Sequence, residues 1–414
     1  MEHQETGSAE QTQPLPAEEA QGQQRKVRAR AFVVAFALMP LNVYWIIAAE
    51  IRWYLPLTLN PLFVTPVFWL ALLAGLNALL RHFAPKLVFR PTELVVIYVM
   101  LVVSCTMATH DYIINLMSIM GWPAWIASPE NKWESLLFPY LPKSLFVWDM
   151  DILKGFFNGG SSLYEWKVIK TWLPPLGVWS LFIFSMGFTF FCLNVLLRKM
   201  WTEYTKLSFP IIRLPLALTE HPSDFAMLKT RMFWMGFSLA GVMALLNGLN
   251  VWYPGVPHLS VLARYIQFAT PPWSAMGSTP YTIYPFCIGL GFLLPLDVAF
   301  SCWFFMLFIK LQMLLGYVVV VRDVPDFPYT AEQQMGAWYT FGLILLYGSR
   351  HHLKDAFHAV FRRDGSDIEE AISYRLAFWG VVFGIVFFLV FWVQVGFSLI
   401  WAIVALVTYL LVSL

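Results

Sequence analysis

Apolar residues run in blocks of about twenty from Ala31 to Leu414, separated by short polar stretches. Helices of that length match the roughly 30 Å hydrocarbon core of a bilayer. Ten segments can be drawn, at about 31–49, 61–80, 93–119, 173–197, 232–250, 281–295, 296–320, 333–347, 373–395 and 397–414. Short alternating segments of the kind that build a transmembrane barrel do not recur. The pattern predicts an all-α, polytopic helical membrane protein. Residues 1–30 form a polar Gln/Glu/Ala tail, expected to be disordered and cytoplasmic, ahead of a transmembrane domain over 31–414. The tail lacks the basic and apolar regions of a cleaved signal peptide, so the first span is expected to serve as the anchor.

One region resists a simple count. The stretch 281–320 is either one long span or two, and it carries Pro285, Gly289, Gly291 and Pro295. Lys and Arg decide, because cytoplasmic loops retain them. A single span divides the loop Lys and Arg 14 inside to 12 outside. If 281–295 enters and the chain returns at Pro295, the division becomes 18 to 8. The second arrangement is therefore predicted, with an inner N-terminus in the cell (inner) membrane and a short, interrupted segment at 281–295. As a helix that segment would reach only about 22 Å. The same topology puts loop 121–172, rich in tryptophan, outside, expected as amphipathic pieces on the outer interface. Loops 198–231 and 348–372 fall inside. The first of these contains KLSFPIIRLPLALTE, too short to span and expected to be re-entrant or interfacial.

Composition agrees: 59% of residues are hydrophobic and 13% charged, against about 25% charged in soluble domains. Mean hydropathy is +0.63. A net charge of +2 gives no reason to expect a nucleic-acid partner. Cys105, Cys192, Cys287 and Cys302 lie in apolar segments with no CxxC, and are expected to be reduced core residues. No cofactor or metal is expected. His110 is the sole histidine in a span, and no glycine-rich nucleotide loop or nucleophile elbow occurs. His351, His352 and His358 are read as the solvated face of the inner basic loop.

Ionisable and amide side chains inside spans are costly and therefore candidates for function. In THDYIINLM, Asp111 follows Glu93 by 18 residues, about 27 Å of helix, which puts it in the outer third. With α-helical spacing Asp111 and Asn115 share a face, while His110 points away. They read as a hydrated outer mouth or an interhelical hydrogen bond, or as a proton relay tuned by His110. Asp297 follows Pro295 and reads either as a helix cap or as a proton or cation site. Lys310 either snorkels or pairs with Asp111 or Glu50. Asn42, after Pro40, either repairs the broken helical hydrogen bond or contacts substrate. Glu50 with Arg52 reads as an interfacial pair, and Asn247 and Asn250 as interhelical hydrogen-bond formers.

Several stretches carry a resemblance: PLNVYWIIAAEIRW, PTELVVIYVM, WKVIKTWLPPLGVW, LRKMWTEYTKLSFPIIRLPLALTE and GLGFLLPLDVAFSCWFFMLFIKL. Its strongest pieces are the Trp201, Tyr204, Lys206, Leu207, Phe209, Pro210 pattern and the Leu-Pro-Leu-Asp-Val run ending at Val298. Together they resemble a bacterial family of polytopic membrane proteins without assigned function, itself distantly similar to the oligopeptide transporter superfamily. That likeness implies a multi-pass transporter for a small solute or peptide, coupled to protons, with the bilayer and that substrate as partners. It also implies a longer protein, because the chain ends at YLLVSL inside an apolar run. The substrate cavity is expected between the first, third and 281–320 segments. Two other readings remain open. One is an intramembrane enzyme acting on a lipid-linked substrate through Asp111 and acids of the Trp-rich loop. The other is a non-catalytic scaffold subunit.

Overall fold

The computed structural model describes residues 27–52, 57, 64–108, 110–162, 164–204, 209–220, 230–259, 264–319, 327–362 and 371–413. The N-terminal tail through residue 26 and the Thr205–Ser208 part of the Trp201–Pro210 pattern lie outside these residues. The helices, in chain order, are α1 (Ala29–Arg52), α2 (Val64–Phe83), α3 (Pro91–Ala108), α4 (Asn115–Ile126), α5 (Met150–Asn158), α6 (Trp166–Lys199), α7 (Pro210–Glu220) and α8 (Arg231–Trp252). They continue with α9 (Pro285–Leu293), α10 (Leu296–Val318), α11 (Thr330–Arg362), α12 (Tyr374–Val395) and α13 (Leu399–Ser413). Two π-helical turns interrupt the ladder, His110–Ile114 between α3 and α4 and Met200–Tyr204 after α6. The one sheet among the described residues pairs β1 (Arg264–Ile266) with β2 (Thr279–Tyr281), antiparallel, Arg264 opposite Tyr281.

Each of the ten apolar segments falls largely in helix, and the protein is an all-α, polytopic membrane protein. Among the described residues seven helical stretches are long and apolar enough to cross a membrane, with 399–412 as a shorter apolar helix. Helix α11 is not one of the seven, because Gln333, Gln334, Trp338 and Tyr339 dilute its apolar stretch. Some boundaries move. Pro123 does not stop α4, and α6 begins at Trp166 with Pro174 and Pro175 inside it. Helix α11 runs on to Arg362, so His351, His352 and His358 sit on a helix and not in a loop.

The chain divides into two units. The first comprises residues up to Ile114 together with Phe209–Leu259. In it α1 and α3 pack along their length, with α2 and α7 against α3. Ala31, Ala35, Leu70, Leu73, Leu94, Ile97, Leu101 and Leu218 form its core. The small residues at 31 and 35 let α1 approach closely, as membrane helix pairs favour. Amphipathic α7 contributes Leu218 to this core, so the KLSFPIIRLPLALTE stretch holds a short helix packed on spanning ones.

The second unit comprises Asn115–Ser208 and Ser260–Leu414. Its main seam joins α6 and α12, where Gly380 and Gly384 face Cys192, Phe188 and Thr189. The Trp-rich region is built of short pieces, including turns at 133–136, 138–140 and 143–145. Trp125 stacks on Phe157 at 5.0 Å, tying α4 to α5. Asp149 caps α5, accepting from the Asp151 and Ile152 N–H groups at 3.0 and 3.3 Å, and its other oxygen meets Lys167 Nζ at 3.2 Å. Partial burial alone would raise the Asp149 carboxyl, but the Lys167 ammonium and those N–H groups outweigh it and hold it below the usual carboxylate range.

Candidate functional site

Two polar constellations stand out, one in each unit. The first begins with the sequence RPTE at the start of α3. Pro91 supplies the preset φ of a first helical position, and Glu93 reaches back to the Arg90 N–H at 2.7 Å. The same carboxylate accepts a fork from Arg30 on α1, Nε to Oε1 at 2.8 Å and Nη2 to Oε2 at 2.6 Å. Arg30 also donates to the carbonyls of Leu87 and Val88 and lies over the Phe89 ring, 5.0 Å from its centre. Asn77 of α2 holds Phe89 from the other side through both its N–H and its carbonyl. The chain between α2 and α3 is therefore clamped.

Farther along the same helices lies a buried polar cluster. Asn42 Nδ2 donates to Ser104 Oγ at 3.1 Å and to Cys105 Sγ at 3.2 Å. Thr65 Oγ1 lies 3.5 Å from the same sulfur, and Ser104 Oγ donates to the Leu101 carbonyl at 2.7 Å. Asn42 is 0% exposed and its Oδ1 has no hydrogen-bond partner, so the cluster keeps one buried acceptor unfilled. Asn42 lies about 18 Å along α1 from Arg30, which places the cluster near mid-bilayer depth. Glu50, eight residues beyond Asn42 on α1, is buried as well.

Arg30 pairs with Glu93, a separation of 63, and Asn42 pairs with Ser104 and Cys105, separations of 62 and 63. A constant offset means that α1 and α3 run parallel and in fixed register. Helix α2, with Asn77 at the Arg30 end and Thr65 at the Asn42 end, runs antiparallel to both.

The second constellation centres on Lys310 of α10. Its Nζ donates to the carbonyls of Met276 and Ser278, each at 2.9 Å. Gly277 between them takes φ +63, a region open to glycine, and the carbonyls on either side of it converge on one ammonium. The partners the structure gives this lysine are backbone carbonyls, and the side chain of Asp111 lies outside the described residues. The contact also fixes the path of the chain. Along one continuous helix, Ser278 and Lys310 would lie about 48 Å apart. The chain therefore doubles back, and the break falls at Leu294–Pro295, between α9 and α10. The interrupted segment predicted at 281–295 is present but shorter, because Tyr281 belongs to β2 and α9 has nine residues, about 13.5 Å.

The remaining candidates fall as follows. Asp297 is in the first turn of α10, exposed, and makes no capping hydrogen bond. Asn115 opens α4 and is half-buried. The backbone of His110 and Asp111 forms the π turn, where the α-helical spacing that paired Asp111 with Asn115 does not hold; their side chains lie outside the described residues. Asn247 and Asn250 do not bridge helices. They hold the loop after α8, through Leu259 and through Pro254 and Val256. Of the cysteines, Cys105 and Cys192 are buried as expected, but Cys287 and Cys302 are exposed on α9 and α10, whose apolar surfaces lack protein cover. Of the expected cavity walls, the first segment and the third as far as Ile114 belong to the first unit, and 281–320 to the second.

Sequence reasoning passed over Arg30, Asn77, Glu93, Thr65 and Ser104. Glu93 was readable in RPTE as a capping residue, and a fixed offset between parallel spans would have paired Asn42 with Ser104. No curated protein and no solved structure matches the chain. A family model described as a family of unknown function (DUF6785) matches residues 21–414. Nearly the whole chain is covered by that match, and the protein belongs to the DUF6785 family.

Proposed function

We propose that the protein is a multi-pass transporter that takes up a small solute or peptide, with its N-terminus in the cytoplasm and the α9–α10 break near the inner face. One observation carries this reading: Lys310, about 21 Å along α10 from the break, holds the chain at Met276–Ser278, where a 3₁₀ turn over Trp273–Met276 gives way to irregular backbone, beside a helix long enough to span. Non-helical backbone at such depth persists only where protein or a water-filled cavity satisfies it. Broken segments of this kind build the substrate and ion sites of secondary transporters. The oligopeptide-transporter likeness of the sequence points the same way and is part of this proposal. Of the acids open to the rival enzyme reading in the Trp-rich region, Asp149 is occupied as a helix cap and ion-pair partner.

The native thiols provide the test. Cys287 is exposed on α9, whereas Cys105 and Cys192 are buried. A membrane-impermeant maleimide applied to intact membranes should modify Cys287 and leave Cys105 and Cys192 untouched, as read by peptide mass spectrometry. An inert Cys287 would place α9 in lipid and remove the aqueous path.

Coupling is assigned to Asp297, at the break and without a hydrogen-bonded capping role. Asp297→Asn should abolish the proton-gradient dependence of uptake into proteoliposomes. Undiminished gradient-driven uptake in that variant would sink its role.

A further inference from the structure

A groove of about 490 Å³ opens beside Lys310, with Trp273 and Met276 on one wall and Trp303, Leu307 and Leu311 on the other. Its volume lies within the roughly 300–1,000 Å³ range of small-molecule sites. The walls are aromatic and aliphatic, and Lys310 is the one charged residue lining it. An ammonium carries three donors. Two of them are used on the Met276 and Ser278 carbonyls, which orient the group and carry no formal charge. Among the described residues Lys310 makes no ion pair. A half-buried cation in apolar surroundings is stabilised most by an anion on its remaining N–H. Lysine offers a point charge, whereas arginine would offer a planar fork, so one anionic oxygen suffices. No second charged side chain lines the groove to pay for desolvating further charges on a ligand.

We infer that this groove binds a monocarboxylate with an apolar or aromatic body, its carboxylate on Lys310 and its body between Trp273 and Trp303. The inference deepens the transport reading, on which it rests for calling that ligand a substrate. Multiply charged solutes are excluded by the same walls.

The test is equilibrium binding of phenylbutyrate and of its neutral isostere phenylbutyramide to the full chain in phosphatidylcholine nanodiscs. The wild type should bind the carboxylate at least about tenfold more tightly than the amide, a difference of ~1.4 kcal/mol. Lys310→Met should erase that preference. Because this variant also loses two hydrogen bonds, Leu307→Trp serves beside it, filling the groove while Lys310 and its carbonyls stay in place; it should weaken both ligands. Equal affinities in the wild type, or a preference surviving in Lys310→Met, would overturn the inference. Loss of phenylbutyrate binding when phosphatidylglycerol is added would overturn it too, by making the occupant a membrane lipid. The two readings fail separately. A labelled Cys287 without carboxylate preference leaves transport and removes this substrate class. An inert Cys287 with intact preference leaves a binding groove and removes transport.

Discussion

Arg30→Ala is expected to destabilise the protein by about 3–5 kcal/mol, the cost of leaving a buried charge without its partner. Glu93 is 0% exposed, while the Arg30 side chain keeps 26% of its surface. Removing the guanidinium therefore strands a carboxylate that cannot reach water, with one N–H bond from Arg90 remaining. It also frees the carbonyls of Leu87 and Val88. Arg30→Lys should recover only part of the loss, because a single ammonium cannot reproduce the fork to both oxygens. Glu93→Gln should be milder than Arg30→Ala, since no buried negative charge is left behind. Denaturation in detergent micelles, followed by tryptophan fluorescence, measures all three. A change for Arg30→Ala within about 0.5 kcal/mol of the parent would mean the pair is no more than a surface contact.

The second large effect is expected at Gly384 of α12. A Cβ built there falls on the Thr189 side chain, against its hydroxyl, its Cβ at 2.8 Å and its methyl at 2.9 Å. Thr189 cannot swing away freely, because it is buried and its hydroxyl donates to the Ser185 carbonyl at 2.7 Å. One turn earlier Gly380 meets Cys192 and Phe188 in the same manner, so the two glycines form one small-residue stripe. Gly384→Leu should exceed the usual overpacking cost of about 1–3 kcal/mol, because four heavy atoms must displace a helix. Folded, monodisperse protein should fall sharply on gel filtration. Thr189→Ala combined with Gly384→Ala should be more stable than the sum of the single changes, a positive coupling in a double-mutant cycle. Additive singles would place the α6–α12 seam elsewhere.

Much of the fold was legible because bilayer thickness leaves few options for long apolar runs. The ten segments and the reversal at Pro295 followed from length, proline and glycine placement, and the distribution of Lys and Arg. Boundaries were less legible: the third and fourth segments were drawn as 93–119 and 173–197, yet helix runs through Pro123 to Ile126 and starts at Trp166, ahead of Pro174 and Pro175. A bilayer favours helix even where proline frees a carbonyl, since neighbouring groups can take it up. The sites were read less well, for a different reason. Lys310 was read as snorkelling or as paired with a carboxylate, and the partners the structure gives it are backbone carbonyls, which have no signature in a sequence. Asn247 and Asn250 were taken to face other helices, yet a short loop was nearer to hand. Arg30 and Glu93 sit at span edges, where charged residues were counted as markers of side and not as a pair.

The two rungs between α1 and α3 have a mechanical consequence. The forked ion pair and the Asn42 contacts are separated by about 16–18 Å along both helices. A slide of one helical turn, about 5.4 Å, would break both rungs at once. Piston motion of one helix against the other is thereby blocked at two levels. Whatever rearrangement the first unit undergoes, α1 and α3 travel as a single strut.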